Sequence, residues 1–172
     1  MGQGIFVGIG ANLPSIHGLS PLETARDAAI ALDCLPGFRL VGLSRWYQSA
    51  PIPPSGQPDY INGVAHLRGR ILHLHGEIGP VEFLRILQRI ELKAGRERGA
   101  ANAARTLDLD IVAMDGLVRI APDPVLPHPR AHLRAFVLLP LADVAPDWVH
   151  PVSGQGVREL IAALPEQTIR VL

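Results

Sequence analysis

Apolar and polar positions change period along this chain, and the changes mark its elements. Ile5 to Ala11 is a short apolar run that predicts a buried first strand. From Pro21 the apolar positions take helical spacing, with Ala25, Ala28, Ala29 and Leu32 on one side, until Pro36-Gly37 ends the helix. Arg39 to Ser49 predicts a second strand, and the loop from Ala50 to Pro58 follows, stiffened by Pro51, Pro53, Pro54 and Pro58. Tyr60 to Leu72 alternates loosely as a third strand. Pro80 fits the first turn of a second helix with the stripe Phe83, Leu84, Leu87, Ile90 and Ala94, and Gly95 fits its stop. Leu107 to Met114 reads as a strand with Leu107, Leu109, Ile111 and Ala113 on one face and Asp108 and Asp110 on the other. A strand-like Leu117 to Ile120, a helix from Arg130 to Leu141 and a last helix from Val157 to Leu164 complete the pattern. No repeat, low-complexity tract or interdomain linker interrupts it, so residues 1–172 are expected to form one domain. Strands and helices mix irregularly across short loops, which predicts a compact α+β sheet with packed helices over a doubly wound parallel one.

Composition adds exclusions. At 172 residues a domain buries roughly 70% of the surface its unfolded chain exposes, so no staple is needed. Sixteen basic residues balance sixteen acidic ones, leaving no global field for nucleic acid or an anionic membrane. Eight of the 15 arginines nevertheless fall between Arg85 and Arg134, which marks a local place for an anion. Cys34 is the single cysteine, which excludes an internal disulfide, and its place in the apolar stretch Ala28 to Leu35 predicts a core residue. No run of ~18 apolar residues or export signal is present, and a cytoplasmic monomer is the expectation.

Two carboxylates at i and i+2 of a strand project from one face and can share metal ions; magnesium takes one or two carboxylates and completes its shell with phosphates and water. A lone pair of this kind is a weak signal, since a solvated strand face looks the same. Arg105 directly before the pair, with Arg96 and Arg98 in the Gly- and Ala-rich segment leading to it, shifts the balance toward phosphoryl chemistry. Gln88 and Glu91, one turn apart on the second helix, could line the same site or a wet helix surface. Tyr60 and Asn62 share a strand face, an aromatic plate beside an amide that would suit a flat heterocycle, or a core tyrosine beside a turn asparagine. Gly8-Ile9-Gly10 lacks the rest of a dinucleotide fingerprint, and no Gly-Lys-Ser/Thr phosphate loop occurs. His73 with His75, and His128 with His132, are candidate metal pairs without further ligands at zinc-finger spacing. An enzyme, a small-molecule binding module and a histidine metal protein all remain open on these residues.

The motifs Gly8-Ile9-Gly10-Ala11-Asn12-Leu13, Gln57-Pro58-Asp59-Tyr60-Ile61-Asn62, Gln88-Arg89-Ile90-Glu91, Gly95-Arg96-Glu97-Arg98, Arg105-Thr106-Leu107-Asp108-Leu109-Asp110-Ile111, and Pro127-His128-Pro129-Arg130 with Arg134-Ala135-Phe136, stand in an order that resembles the 6-hydroxymethyl-7,8-dihydropterin pyrophosphokinases of folate biosynthesis, from Ile5 to about Pro151. The resemblance implies a ferredoxin-like α+β fold, mainly antiparallel, and transfer of the β,γ-diphosphate of ATP to the pterin hydroxymethyl group with release of AMP. It implies two Mg2+ ions on Asp108 and Asp110. The pterin would lie between Tyr60 and Phe136, with Asn62 on its edge and the backbone of Ser49, Ala50 and Ile52 completing its pocket. Gln88, Glu91, Arg98, Ile111, His128 and Arg134 would contact ATP, and Arg96 and Arg105 would close on its phosphates. The segment Gly95 to Ala104 would be a lid, with Asn102 where a tryptophan is expected and Ala103-Ala104 replacing Gly-Pro, and Arg70 to Gly79 reads as an insertion.

Overall fold

In a computed structural model of the chain, which describes residues 4–69, 78–96 and 104–172, the strands form one six-stranded sheet. The elements are β1 (Ile5–Ala11), α1 (Pro21–Asp33), β2 (Phe38–Leu43), β3 (Tyr47–Ser49), β4 (Tyr60–Gly69), α2 (Ile78–Lys93), β5 (Asp108–Met114), α3 (Ala135–Val144), α4 (Val157–Ala162) and β6 (Ile169–Val171), with a 3-10 turn at Ala131–Leu133. Every paired strand runs antiparallel to its neighbour. The sheet order is β5-β1-β4, after which β2 and β3 divide the far edge of β4 between them and β6 extends β3. Without β3 and β6 the chain traces β1-α1-β2-β4-α2-β5, the ferredoxin-like βαββαβ path. The fold is therefore α+β and ferredoxin-like.

Each face of the sheet is covered by its own apolar layer. One cluster joins Val7, Ile9, Leu67, Leu109 and Ile111 to Ala25, Ala28 and Leu32 of α1 and Phe83 and Leu87 of α2. The other joins Phe6, Val64, Val112 and Ala113 to Leu138 and Leu141 of α3 and Val157 and Leu160 of α4. A register shift between β1 and β5, at Phe6/Val7, decides where Ala113 goes. Strict alternation would put it beside Ile111; the bulge turns it to the opposite layer with Val112. The covering helices are also fixed locally. Ser20 and Glu23 form a capping box at the start of α1. At the end of α2, Gly95 has φ +85°, its N–H donates to Leu92 O, and the Arg96 N–H donates to Glu91 O, a left-handed stop suited to glycine.

Several expected elements change once packing is included. The strand expected over Arg39 to Ser49 is broken at Ser44-Arg45-Trp46, where the Ser44 hydroxyl accepts the Val64 N–H of the neighbouring strand in place of a backbone carbonyl. Arg45 within the break and Tyr47 just after it both reach Asp143 of α3, at 2.7 and 2.9 Å, and tie β3 to that helix. The segment at Leu117 to Ile120 makes a single bridge, Arg119 to Leu126, because the prolines that follow cannot continue a ladder. The helix expected from Arg130 to Leu141 is two pieces, with Arg134 extended between them at φ −126° and ψ 116°. The second helix begins at Ile78, two residues before Pro80, and the last helix ends at Ala162. β6 had no counterpart among the expected elements. Cys34 is exposed: it caps α1 off the stripe of Ala25, Ala28, Ala29 and Leu32 and so faces outward. The insertion with His73 and His75 lies outside the described residues, apart from the start of α2.

Candidate active site

The second apolar layer covers only part of its face, and the remainder is a pocket of about 340 Å³. Its floor is open because β1 presents Gly8 and Gly10 there. A Cβ at Gly10 would lie 3.7 Å from the Asn62 Oδ1 and 4.0 Å from the Asp108 Cβ, so the missing side chain joins an amide-bearing end to an acidic end. β4 brings Tyr60 and Asn62 to one side of this floor, and β5 brings Asp108 and Asp110 to the other. Volume and mixed lining suit one compact organic ligand with polar edges.

At the amide end, Asn62 is 4% exposed and donates from Nδ2 to the Ser49 hydroxyl at 2.8 Å and to Tyr60 O at 3.3 Å. Both amide hydrogens are thereby committed, which orients the carbonyl oxygen over Gly10. Tyr60 donates to Gln57 Oε1 at 3.0 Å, and its phenol is raised above the ordinary value by burial. Ser49, Ala50, Ile52 and Pro53 form one wall, and Phe136 and Val137 at the start of α3 form another. Arg134 lies over the Phe136 ring at 5.3 Å, within cation–π range.

The other end is a charge cluster. Asp108 pairs with Arg105 at 2.7 Å and with Arg96 at 2.9 Å. Asp110 is raised above the usual carboxylate range by burial and then by the negative charge of Asp108, against the pull of Arg105, Arg134 and Arg96. His128 stands 3.9 Å from Asp110, but burial and the flanking Arg134 and Arg130 hold its imidazole down at about 4, so it is neutral at pH 7. Its Nδ1 accepts the Arg130 N–H, which leaves the hydrogen on Nε2, facing Asp110. Arg105, Arg130 and Arg134 line the pocket and Arg96 pairs with Asp108, so four guanidiniums surround two carboxylates. That surplus favours a polyanion. Among the described residues no group of three or more His, Cys, Asp or Glu side chains could hold a metal. Two carboxylates, one of them raised by burial and by its neighbour's charge, fit a hard ion that takes its other ligands from phosphates and water.

Eleven of the residues expected at the site from the sequence line this pocket: Ser49, Ala50, Ile52, Tyr60, Asn62, Arg105, Asp108, Asp110, His128, Arg134 and Phe136. Arg96 joins it through Asp108. Gln88 is exposed on α2 and Ile111 is a core side chain, 3% exposed, so neither side chain reaches the pocket; Ile111 could meet a ligand only through its backbone on the outer strand. Glu91 is buried as well. It accepts the Leu109 N–H at 2.7 Å and pairs with Arg96, and so holds the strand edge and the arginine together. Arg98 and most of the expected lid, including Asn102, lie outside the described residues. The candidate metal pair His128 and His132 is divided by its surroundings, since the His132 ring packs against His150 with centroids 5.5 Å apart.

Two residues had been given no role of their own. Asn12, 2% exposed, accepts the Arg105 N–H at 2.8 Å and donates to Pro58 O at 3.1 Å, so it links the arginine to the proline loop. A polar amide ending a buried strand was the available signal. Arg130 lines the pocket two residues beyond His128.

Glu91 carries a pH prediction. Burial pushes its carboxyl up to about 7, against the Leu109 N–H and Arg96. A folded-state value above the unfolded one means that ionisation costs stability: the contribution is full below about 4.5, declines as pH rises, and is gone above about 7. Glu91→Gln keeps an acceptor for Leu109 and is expected to remove this slope, worth about 2–3 kcal/mol across the window. Urea unfolding of both proteins at pH 5, 6 and 7.5 measures it, and an identical pH dependence in the two would contradict it.

The family model of 7,8-dihydro-6-hydroxymethylpterin-pyrophosphokinase matches residues 6–146. Among curated proteins, the chain is 40% identical over 170 residues to a 2-amino-4-hydroxy-6-hydroxymethyldihydropteridine pyrophosphokinase of Pseudomonas aeruginosa, covering 99% of this chain and 97% of that one. It is 37% identical to the protein of the same name from Synechocystis, covering 92% of this chain and 75% of that one. Among solved structures it is similar to the wild-type HPPK-DHPS of Plasmodium falciparum with STZ-DHP, at TM-score 0.66 and 12% identity, over 93% of this chain. The chain spans 43% of that larger protein, and at this identity the likeness concerns the fold.

Proposed function

We propose that this chain, which belongs to the 7,8-dihydro-6-hydroxymethylpterin-pyrophosphokinase family and is an enzyme of folate biosynthesis that transfers pyrophosphate to hydroxymethyldihydropterin, takes that group as the β,γ-diphosphate of ATP and releases AMP, using the pocket on the open half of its sheet. The observation that carries this reading is the division of one continuous pocket into an amide and aromatic end and an arginine-rich, acidic end across Gly8 and Gly10.

In this reading the pterin lies between Tyr60 and Phe136, with the oriented Asn62 carbonyl accepting from its edge and the backbone of Ser49, Ala50 and Ile52 closing the wall. Asp108 and Asp110 would hold two Mg2+ ions, which when bound offset the charge of the triphosphate and polarise its phosphorus–oxygen bonds. Arg96 and Arg105 neutralise charge on the transferring group, and Arg134 and the Nε2–H of neutral His128 bind further phosphate oxygens. Gln88, Glu91, Arg98 and the Ile111 backbone would serve the rest of the nucleotide, with Glu91 acting through the arginine it anchors. Transfer of this kind depends on alignment and charge balance, so no strong protein base is required. The acceptor hydroxyl oxygen bonds to the β-phosphorus and gives up its proton to solvent, the bond from that phosphorus to the α,β-bridging oxygen breaks, and AMP leaves with that oxygen. No helix among the described residues is long and apolar enough to cross a membrane. A cytoplasmic monomer completes the proposal.

Incubation with ATP, Mg2+ and hydroxymethyldihydropterin, followed by chromatography of the nucleotides, is expected to give AMP in step with pterin diphosphate and none without the pterin. ADP as the product would overturn the assignment.

A further inference from the structure

The two walls of the pocket come from distant parts of the chain, and one short segment touches both. Residues 167–169 follow α4 and lie beyond the stretch matched by the family model. Ile169 pairs with Ser49 in the β3–β6 ladder, and the Ala50 N–H donates to Thr168 O at 3.1 Å, so this segment borders the wall of Ser49, Ala50 and Ile52. The preceding side chain crosses to the opposite wall. Gln167 accepts the Ala135 N–H at Oε1, 2.9 Å, and donates from Nε2 to Leu133 O, 3.0 Å.

Those two bonds fall on either side of Arg134. α3 begins without a side-chain cap from its own N-cap residue, Arg134, which is extended. Its first N–H would lack the partner that a Ser, Asp or Asn cap provides; Gln167 supplies it from 32 residues away. The second bond holds the carbonyl before Arg134. With both flanking peptide groups fixed by one planar amide, the break between the 3-10 turn and α3 has a defined geometry, and Arg134 and Phe136 leave it toward the pocket. We infer that Gln167 is a positioning residue for substrate binding, setting Arg134 and Phe136 against the Ser49–Ile52 wall to which Thr168 and Ile169 are joined.

The inference rests on the proposed binding roles of Phe136 and Arg134, and the test separates the two. Three variants, Gln167→Leu, Gln167→Glu and Phe136→Ala, are compared for kcat, for KM of hydroxymethyldihydropterin and ATP, and for melting temperature. Gln167→Leu is expected to raise both KM values about three- to ten-fold, the size of one or two lost hydrogen bonds, with kcat within about two-fold. Gln167→Glu retains an acceptor for Ala135 and is expected to recover part of the loss. Gln167→Leu with a lower melting temperature but unchanged KM would make Gln167 a purely structural cap and overturn the inference. A raised pterin KM in Phe136→Ala beside that result would sink the inference alone, whereas an unchanged pterin KM in Phe136→Ala would remove the site reading and the inference with it.

Discussion

Asp110→Ala is expected to lower the rate of AMP release about a thousand-fold or more while leaving the protein as stable as before, or slightly more so. The two halves of this expectation come from the same geometry. Asp110 projects from β5 on the pocket face, opposite Leu109 and Ile111, so its removal opens no hole in the core. Its carboxyl is already hard to ionise because of burial and Asp108, and removing a charge that the fold disfavours does not cost stability. Asp108→Ala is expected to be as damaging to turnover but to lose stability, because Arg96 and Arg105 would then face each other without the carboxylate between them. Steady-state rates and urea unfolding of the two variants decide the matter. Near-normal turnover in either would remove the metal assignment.

Phe83→Ala is expected to do the reverse. Phe83 is fully buried in the layer under α1 and α2, with its ring 5.2 Å from that of Phe38. Truncation leaves a cavity that these elements cannot close, at a cost of about 3–5 kcal/mol. For a domain of this size that lowers the melting temperature by roughly 6–20 °C. The pocket is on the other face of the sheet, so KM for both substrates below the transition should change less than about two-fold. A melting temperature within about 2 °C of the parent would show that the layer repacks around the loss.

Separating chemistry from stability in this way is possible because the sheet keeps them on opposite faces, and that separation was partly readable from the chain. The stripe Phe83, Leu87 and Ile90 and the alternation of Leu107, Leu109 and Ile111 against Asp108 and Asp110 both survive in three dimensions. Each is a local periodicity, and the burial of one face enforces it. Alternation failed at Ala113, where a bulge exchanges the faces, and no residue preference marks that position. The helical reading failed at Arg134, placed in a helix interior; the chain is extended there and α3 starts at Ala135, whose N–H is accepted by Gln167 from far along the chain. For Gln88 and Ile111, assigned to ATP by the family resemblance alone, the fold adds the direction of each side chain: one faces solvent and the other the core.

Residue order therefore determined the aspartate pair, the arginine-rich stretch around it, the helix stops and the two faces of β5, since these depend on neighbours within a few residues. It also carried the motifs that place the chain in its family. Only the tertiary structure decided that Arg96 and Arg105 share Asp108, that Glu91 is buried at a strand edge, that Asn12 joins Arg105 to the proline loop, and that the last residues brace both walls of the pocket. The physical reason is that those contacts exist only after distant segments have packed, and the energy that selects them comes from burial summed over two apolar layers, which no single window of the chain contains.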